Sequence, residues 1–217
     1  MKVISIALGV LVLLLAGICY YLYDANKKKG RELQASYGIR SELESKVSDI
    51  SRARQDEVAQ LKATYDKMVK EMQEEIEQGQ IKITQMSDRL SVAIVDKILF
   101  PSGKAKITPE GMTILKRIGE ILKNTRSKII RVEGHTDSAR IAPRLQQIFP
   151  TNWELSTTRA TNVVRFLQDK VEIEGARLQA VGMSEYHPVA SNETHDGRGQ
   201  NRRIEIALLP EPFQQTP

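Results

Sequence analysis

From Arg31 to Gln78 the chain runs without a proline, and Gly38 is the only glycine in that stretch. Its composition is mainly Glu, Lys, Gln, Arg, Ala, Ser and Leu. A segment this long with almost no helix breaker is built for a long helix. Apolar residues recur at Leu43, Val47 and Ile50, then at Val58, Leu61, Tyr65, Met68 and Met72, in steps of four and three. That is the seam of a heptad repeat. Between the two groups, Val47 to Val58 and Ile50 to Leu61 are steps of eleven, and Arg54 interrupts the seam. Such a stutter locally unwinds a supercoil. Glu42 with Lys46 and Asp66 with Lys70 put acid before base at i,i+4 on the exposed face. Two readings stand: a parallel two-stranded coiled coil, which makes the chain a homodimer, or a single solvated helix or irregular linker. As a helix, about 48 residues span roughly 70 Å. Gly79 ends or hinges the rod.

Ahead of the rod lies Val3 to Tyr23, VISIALGVLVLLLAGICYYLY, with Ser5 its only clearly polar side chain before the tyrosines. As a helix at about 1.5 Å per residue it matches a hydrocarbon core of roughly 30 Å. Tyr20, Tyr21 and Tyr23 sit where amphipathic rings favour the headgroup level. A lipoprotein signal fails because Ile18 intervenes before Cys19. A cleaved secretory signal finds only Gly17 and Cys19 as small residues for a cut. The run reads as an uncleaved anchor in the lipid bilayer. Lys27, Lys28, Lys29 and Arg31 follow it while only Lys2 precedes it. Taken alone, the positive-inside rule would keep the remainder of the chain in the cytoplasm.

Charge and composition exclude several classes. Residues 24–95 carry thirteen Lys and Arg against thirteen Asp and Glu, and residues 96–217 carry eighteen against fourteen. No segment is a basic block, so the sequence gives no footprint for nucleic acid. A single cysteine, Cys19, builds neither a disulfide framework nor a thiolate metal site. The three histidines, His135, His187 and His195, are scattered. No metal or cofactor is expected.

The C-terminal half alternates strand and helix signals. Leu90, Val92 and Ile94 alternate with polar or small neighbours, and Ile98-Leu99-Phe100 follows, a strand or short hairpin. Thr108-Pro109 opens a helix with Thr as N-cap and Pro at the first position. Met112, Leu115, Ile118, Ile121 and Leu122 form its apolar face. Strands are expected at Lys128–Gly134, Arg177–Met183 and Arg203–Leu209, with a helix from Asn152 to about Val171. The order is β-α-β-α-β-β, an α+β domain with helices on one face of the sheet. The expected organisation is anchor 1–24, helical coiled-coil spacer 25–87, α+β domain 88–210 and tail 211–217.

Asp137 falls just past a strand end, and Arg159 lies two turns into the following helix. One charge of each sign bordering the same loop suits a zwitterion, with an ammonium on Asp137 and a carboxylate on the Arg159 fork. In the competing reading the two pair with each other, or brace the loop. His135 and Asp137 are the only carboxylate and histidine neighbours there, with no nucleophile beside them. The site is not that of an enzyme.

The blocks ILFPSGKAKITPEG, VEGHTD, NWELSTTRA, RLQAVGMSEYHPVASN and GRGQNRRIEI occur in order. Over about residues 88–209 they resemble the OmpA-like, peptidoglycan-binding domain family, and their wording is nearest the MotB-like branch. The resemblance implies an OmpA-like domain that grips the peptide stem of peptidoglycan without catalysis. It implies that Asp137 and Arg159 hold diaminopimelate, that Asn152 supports the pocket and that Thr136 and Leu155 line it. Leu155 is read as a core residue more than a direct contact, and Arg203 as a supporting or glycan contact. It also implies a periplasmic domain, which outweighs the lysines after the anchor, and other envelope proteins as partners. Two departures stand out. Residues 138–150 make a loop longer than in many members, with Arg140 and Arg144. MotB-like stators relay ions through a membrane-embedded Asp, whereas Val3 to Tyr23 holds no Asp or Glu. A subunit of an ion-driven motor is therefore the second reading, behind a membrane-anchored tether.

Overall fold

The computed structural model describes residues 2–86, 89–125 and 128–210, with all their side chains except those of residues 2–8, 10 and 12. The chain forms two units, residues 1–56 and 57–217.

The proline-free stretch is helical as its composition requires: residues 31–71 lie within a helix α1 that runs Lys2–Glu71, and a short second helix follows. In the first unit Leu43, Val47 and Ile50 are 56%, 64% and 68% exposed, an apolar row with no partner among the described residues. Among the described residues no helix is long and apolar enough to cross a membrane. The expected anchor, Val3 to Tyr23, lies partly outside them, because the side chains of residues 3–8, 10 and 12 are not described.

The second unit begins with the last turns of α1, and here the seam behaves differently. Leu61, Met68 and Met72 are buried in the main core, with Tyr65 packed beside them. The second half of the seam therefore packs on its own domain. After α1 come α2 (Gln73–Glu77), a turn at Gly79, β1 (Ile81–Gln85) and β2 (Leu90–Val95). Then follow α3 (Asp96–Leu99), α4 (Pro109–Lys123), β3 (Lys128–His135), α5 (Asn152–Val171), β4 (Leu178–Ser184), α6 (His195–Asn201) and β5 (Arg203–Pro210). The sheet order is β1-β2-β5-β3-β4, with β3 and β4 parallel and the other pairs antiparallel.

One face of the sheet carries Val92, Ile94, Ile130, Val132, Ile204 and Ile206, all buried against Leu115, Ile118 and Leu122 of α4 and Val163 and Leu167 of α5. Thr108 caps α4 as its sequence predicts, its hydroxyl accepting from the Gly111 N–H at 2.9 Å. The expected α+β class with its long helix stands, but the expected β-α-β-α-β-β order is incomplete. A fifth strand, β1, pairs with β2 from Ile81↔Ile94 to Gln85↔Leu90, so the expected boundary at residue 88 cuts a hairpin. With only Ile81 and Ile83 apolar, β1 is too short to stand out after a long helix. Ile98-Leu99-Phe100 belongs to a helical turn and its exit, not to a strand; all three side chains are buried. The seven-residue α6 precedes β5; with two glycines and no apolar residue it carries no helical signal in the sequence.

Candidate functional site

The strand-to-helix corner between β3 and α5 is fixed by backbone and capping bonds. The Thr136 N–H donates to the Ser184 carbonyl at 2.9 Å, tying the exit of β3 to the end of β4. Thr151 caps α5: its hydroxyl accepts from the Trp153 N–H at 3.1 Å, while Glu154 accepts the Thr151 N–H at 2.8 Å. This capping box holds Asn152 at the first position of the helix. The Asn152 amide donates to the carbonyls of Asp137 (3.3 Å) and Ala139 (3.1 Å) and to the Glu185 carboxylate (2.5 Å).

Around this corner is a cavity of about 530 Å³ that includes Asp96, Phe100, Thr136, Asp137, Asn152, Leu155, Arg159 and Arg202 in its lining. Asp137 and Arg159 both reach it, yet they do not pair with each other. Arg159 Nη1 lies 3.0 Å from Asp96 Oδ1, its Nε donates to the Lys104 carbonyl at 3.0 Å, and its guanidinium stacks 5.0 Å from the Phe100 ring centroid. Asp137 Oδ1 accepts from the Ala139 N–H at 3.1 Å, and its Oδ2 is bound by Arg202 Nη1. The lining thus holds two separate ion pairs.

Both partners of the first pair are nearly dry. Burial lowers the pKa of Arg159, opposed by Asp96. Burial pushes the Asp96 carboxyl up to about 6, against the pull of Arg159 and Arg202. Asp96 Oδ1 is in ion-pairing range of Arg159 but makes no hydrogen bond of good angle. A carboxyl whose folded pKa is raised holds its proton better folded than unfolded. Its cost to stability therefore accrues as pH rises from about 4 to about 6, and reaches about 3 kcal/mol above that window. Asp96→Asn should remove this component. Urea denaturation between pH 4.5 and 6.5 is expected to give the wild type a stability that falls more steeply with pH than the variant's. Parallel profiles would refute the assignment.

Thr136 is 4% exposed and part of the cavity lining, and its hydroxyl is buried without a hydrogen-bond partner among the described residues. Leu155 belongs to a small core with Ala105 and Phe149, against which Ile141 also packs, and it is part of the cavity lining. These contacts pin the long loop 138–150, which sets Arg140 and Arg144 in the cavity lining. Arg203 is elsewhere. It points to the sheet face opposite the core, contacting Glu205 at 3.5 Å and the carbonyls of Asn201 and His187. The cavity holds its neighbour Arg202 instead. The inward alternation of Ile204, Ile206 and Leu208 is the signal that turns Arg203 away. Asp96 stands in no motif, and Arg202 is the residue before Arg203 in the NRR block.

On that other face, Glu133 and Glu205 stand opposite each other on β3 and β5. Together with His135 they bring potential ligand atoms within 4.8 Å. Arg89 and Arg203 already lie against these carboxylates, which matches their charge without a metal ion. His187, remote in sequence, comes edge-on to His135 at 6.3 Å between centroids.

The sequence profile of the OmpA family matches residues 99–202. Uncharacterized protein YtxE of Bacillus subtilis (strain 168) is 32% identical over 189 residues, covering 85% of this chain and 73% of that protein. Motility protein B of the same organism is 35% identical over 164 residues, 76% of this chain and 60% of that protein. The chain belongs to the OmpA family, with MotB-like relatives. Its OmpA-like domain also superposes on the cell wall anchor of the T6SS from Pseudomonas aeruginosa with a TM-score of 0.60. That match is at 31% identity and covers 66% of this chain and 97% of that one. The family match runs over residues 99–202 and so takes in every residue of the OmpA-like cavity named above except Asp96.

Proposed function

We propose that the OmpA-like domain binds the peptide stem of peptidoglycan, without catalysis, by exchanging its two internal ion pairs for a zwitterion. The observation that carries this reading is the pairing of Asp96 with Arg159 and of Asp137 with Arg202 in one cavity. A ligand ammonium replaces Arg202 on Asp137, and a ligand carboxylate replaces Asp96 on Arg159. The displaced Asp96 and Arg202, close enough for Arg202 to favour the Asp96 charge, then pair with each other, so no ion is left unpaired in a site where that is costly. Diaminopimelate, which keeps an ammonium and a carboxylate on one carbon after joining the stem, fits that exchange. Asn152 holds the corner, Thr136 offers a free hydroxyl, and Leu155 walls the apolar side. The relatives support the envelope setting: one is named for motility, and the similar solved structure is a cell wall anchor.

In this reading Val3 to Tyr23 is the single-pass anchor in the inner membrane, the OmpA-like domain is periplasmic, and Leu43, Val47 and Ile50 zip against a second copy. The exposure of that row supports the homodimer. Other envelope proteins complete the assembly. The second reading, a subunit of an ion-driven motor, draws on motility protein B but lacks an acidic group between Val3 and Tyr23.

Sedimentation with purified peptidoglycan tests the site. Truncating one member of a buried charge pair costs about 2–5 kcal/mol of binding. Asp137→Ala and Arg159→Ala are thus expected to weaken binding at least ~30-fold. Arg159→Lys, with thermal unfolding as a check on folding, separates recognition from collapse. Full binding by both alanine variants would sink the assignment.

A further inference from the structure

Trp153 and Tyr186 make a pair that the core does not explain. Their ring centroids are 5.6 Å apart with planes at 30°, a stacked arrangement. They cover part of one another, yet remain 48% and 65% exposed. Large aromatics left in water at a folded surface mark a contact surface. Both rings are held in place from behind. Trp153 follows Asn152 in the capped first turn of α5. Tyr186 follows Glu185, which accepts the Asn152 amide. The chain reaches that point through Ser184, a non-glycine residue at φ +53°. Its N–H donates to the Ser156 hydroxyl at 3.2 Å, and its carbonyl accepts from Thr136. A strained corner held by three elements is thus what brings Tyr186 back over the start of α5.

We propose that Trp153 and Tyr186 form a platform for a pyranose ring of the glycan strand that carries the bound stem peptide. A pyranose presents a face of C–H bonds that stacks on the negative face of an aromatic ring, while its hydroxyl and acetamido groups stay in water. The position fits the ligand. Asn152 lines the peptide cavity and donates to Glu185, so Trp153 and Tyr186 are each the chain neighbour of a residue at the cavity's corner. In the stem, two residues separate the sugar's acyl group from the diamino acid, three steps or about 10 Å when extended. Rigid, pre-stacked rings lose little freedom on binding, which favours a weak, flat ligand.

The inference rests on the peptidoglycan reading, and its test separates the two. Trp153 is the chain's only tryptophan, so its fluorescence reports on the platform alone. The full chain in detergent is titrated with free diaminopimelate tetrapeptide, with the disaccharide-tetrapeptide, and with peptide-free glycan chains. The disaccharide-tetrapeptide is expected to bind about tenfold tighter than the free peptide and to shift the Trp153 emission. Tyr186→Ala and Trp153→Ala, followed by calorimetry, should remove that advantage while Trp153→Phe keeps most of it. Glycan chains alone should shift the emission of the Asp137→Ala variant. Equal wild-type affinity for both peptides, or platform variants that weaken both alike, would overturn the platform. Failure of the free peptide to bind the wild type would overturn the peptide site, while the glycan arm still decides the platform.

Discussion

Replacing Met68 and Met72 together by alanine is expected to cost the OmpA-like domain about 4 kcal/mol or more, a large part of the stability of a domain this size. Both side chains are fully buried, in the cluster that also holds Leu122, Ile94 and Ile206. Each Met→Ala change at such a site costs about 2–5 kcal/mol, from lost burial plus the cavity left behind. The two are one helical turn apart, so their effects need not add. The end of α1 is further pinned by Arg117 of α4, which contacts the Glu75 carboxylate and the Glu71 carbonyl. Urea denaturation followed by Trp153 fluorescence should show a midpoint well below that of the wild type. Leu43→Ala and Val47→Ala, on the exposed half of the same seam, should leave it in place. A double methionine variant as stable as the wild type would mean that α1 is not part of this core. A fragment beginning at residue 88 loses the methionines and β1 at once and is expected to fare worse still.

Gly134→Ala is the second large effect. A Cβ on Gly134 would stand 2.2 Å from the Ser156 carbonyl oxygen and 2.9 Å from its carbon. The obstacle is backbone, so no rotamer relieves it. Strand β3 and helix α5 must separate, at a cost of about 3 kcal/mol, or roughly 10 °C in melting temperature. The same movement displaces Asp137, three residues beyond Gly134, from Arg159, three residues beyond Ser156. Peptidoglycan binding should therefore fall even where the fold survives. Gly38→Ala, with open space around it, is the control and should be neutral or slightly stabilising. Equal melting temperatures for Gly134→Ala and the wild type would contradict the packing described.

The long helix, the capped start of α4 and the alternation of β5 were legible because each is local: composition, a Thr-Pro pair and a period of two. The partner of an apolar seam is not local. Leu43 and Met68 carry the same spacing signal, but one faces solvent and the other a sheet completed more than a hundred residues later. The charged site was half legible. Asp137 and Arg159 stand in motifs, whereas their actual partners, Arg202 and Asp96, come from the ends of other elements that meet only in the folded domain. Trp153 lay inside a motif already read, but nothing in the chain pointed to Tyr186 as its neighbour.

The place of β5 in the sheet sets an order of events. It lies between β2 and β3, so the β1–β2 hairpin and the parallel β3–β4 pair share no ladder of their own. Until Arg203–Pro210 is available, the emerging chain holds two half-sheets with open edges. Closure is a late, non-local step, and the domain gains most of its cooperativity at once. Asp137 lies at the exit of β3, and Arg202 one residue before β5. The ion pair between them therefore forms in the same event that closes the sheet, so a chain stalled or clipped before residue 203 carries no half-made binding site.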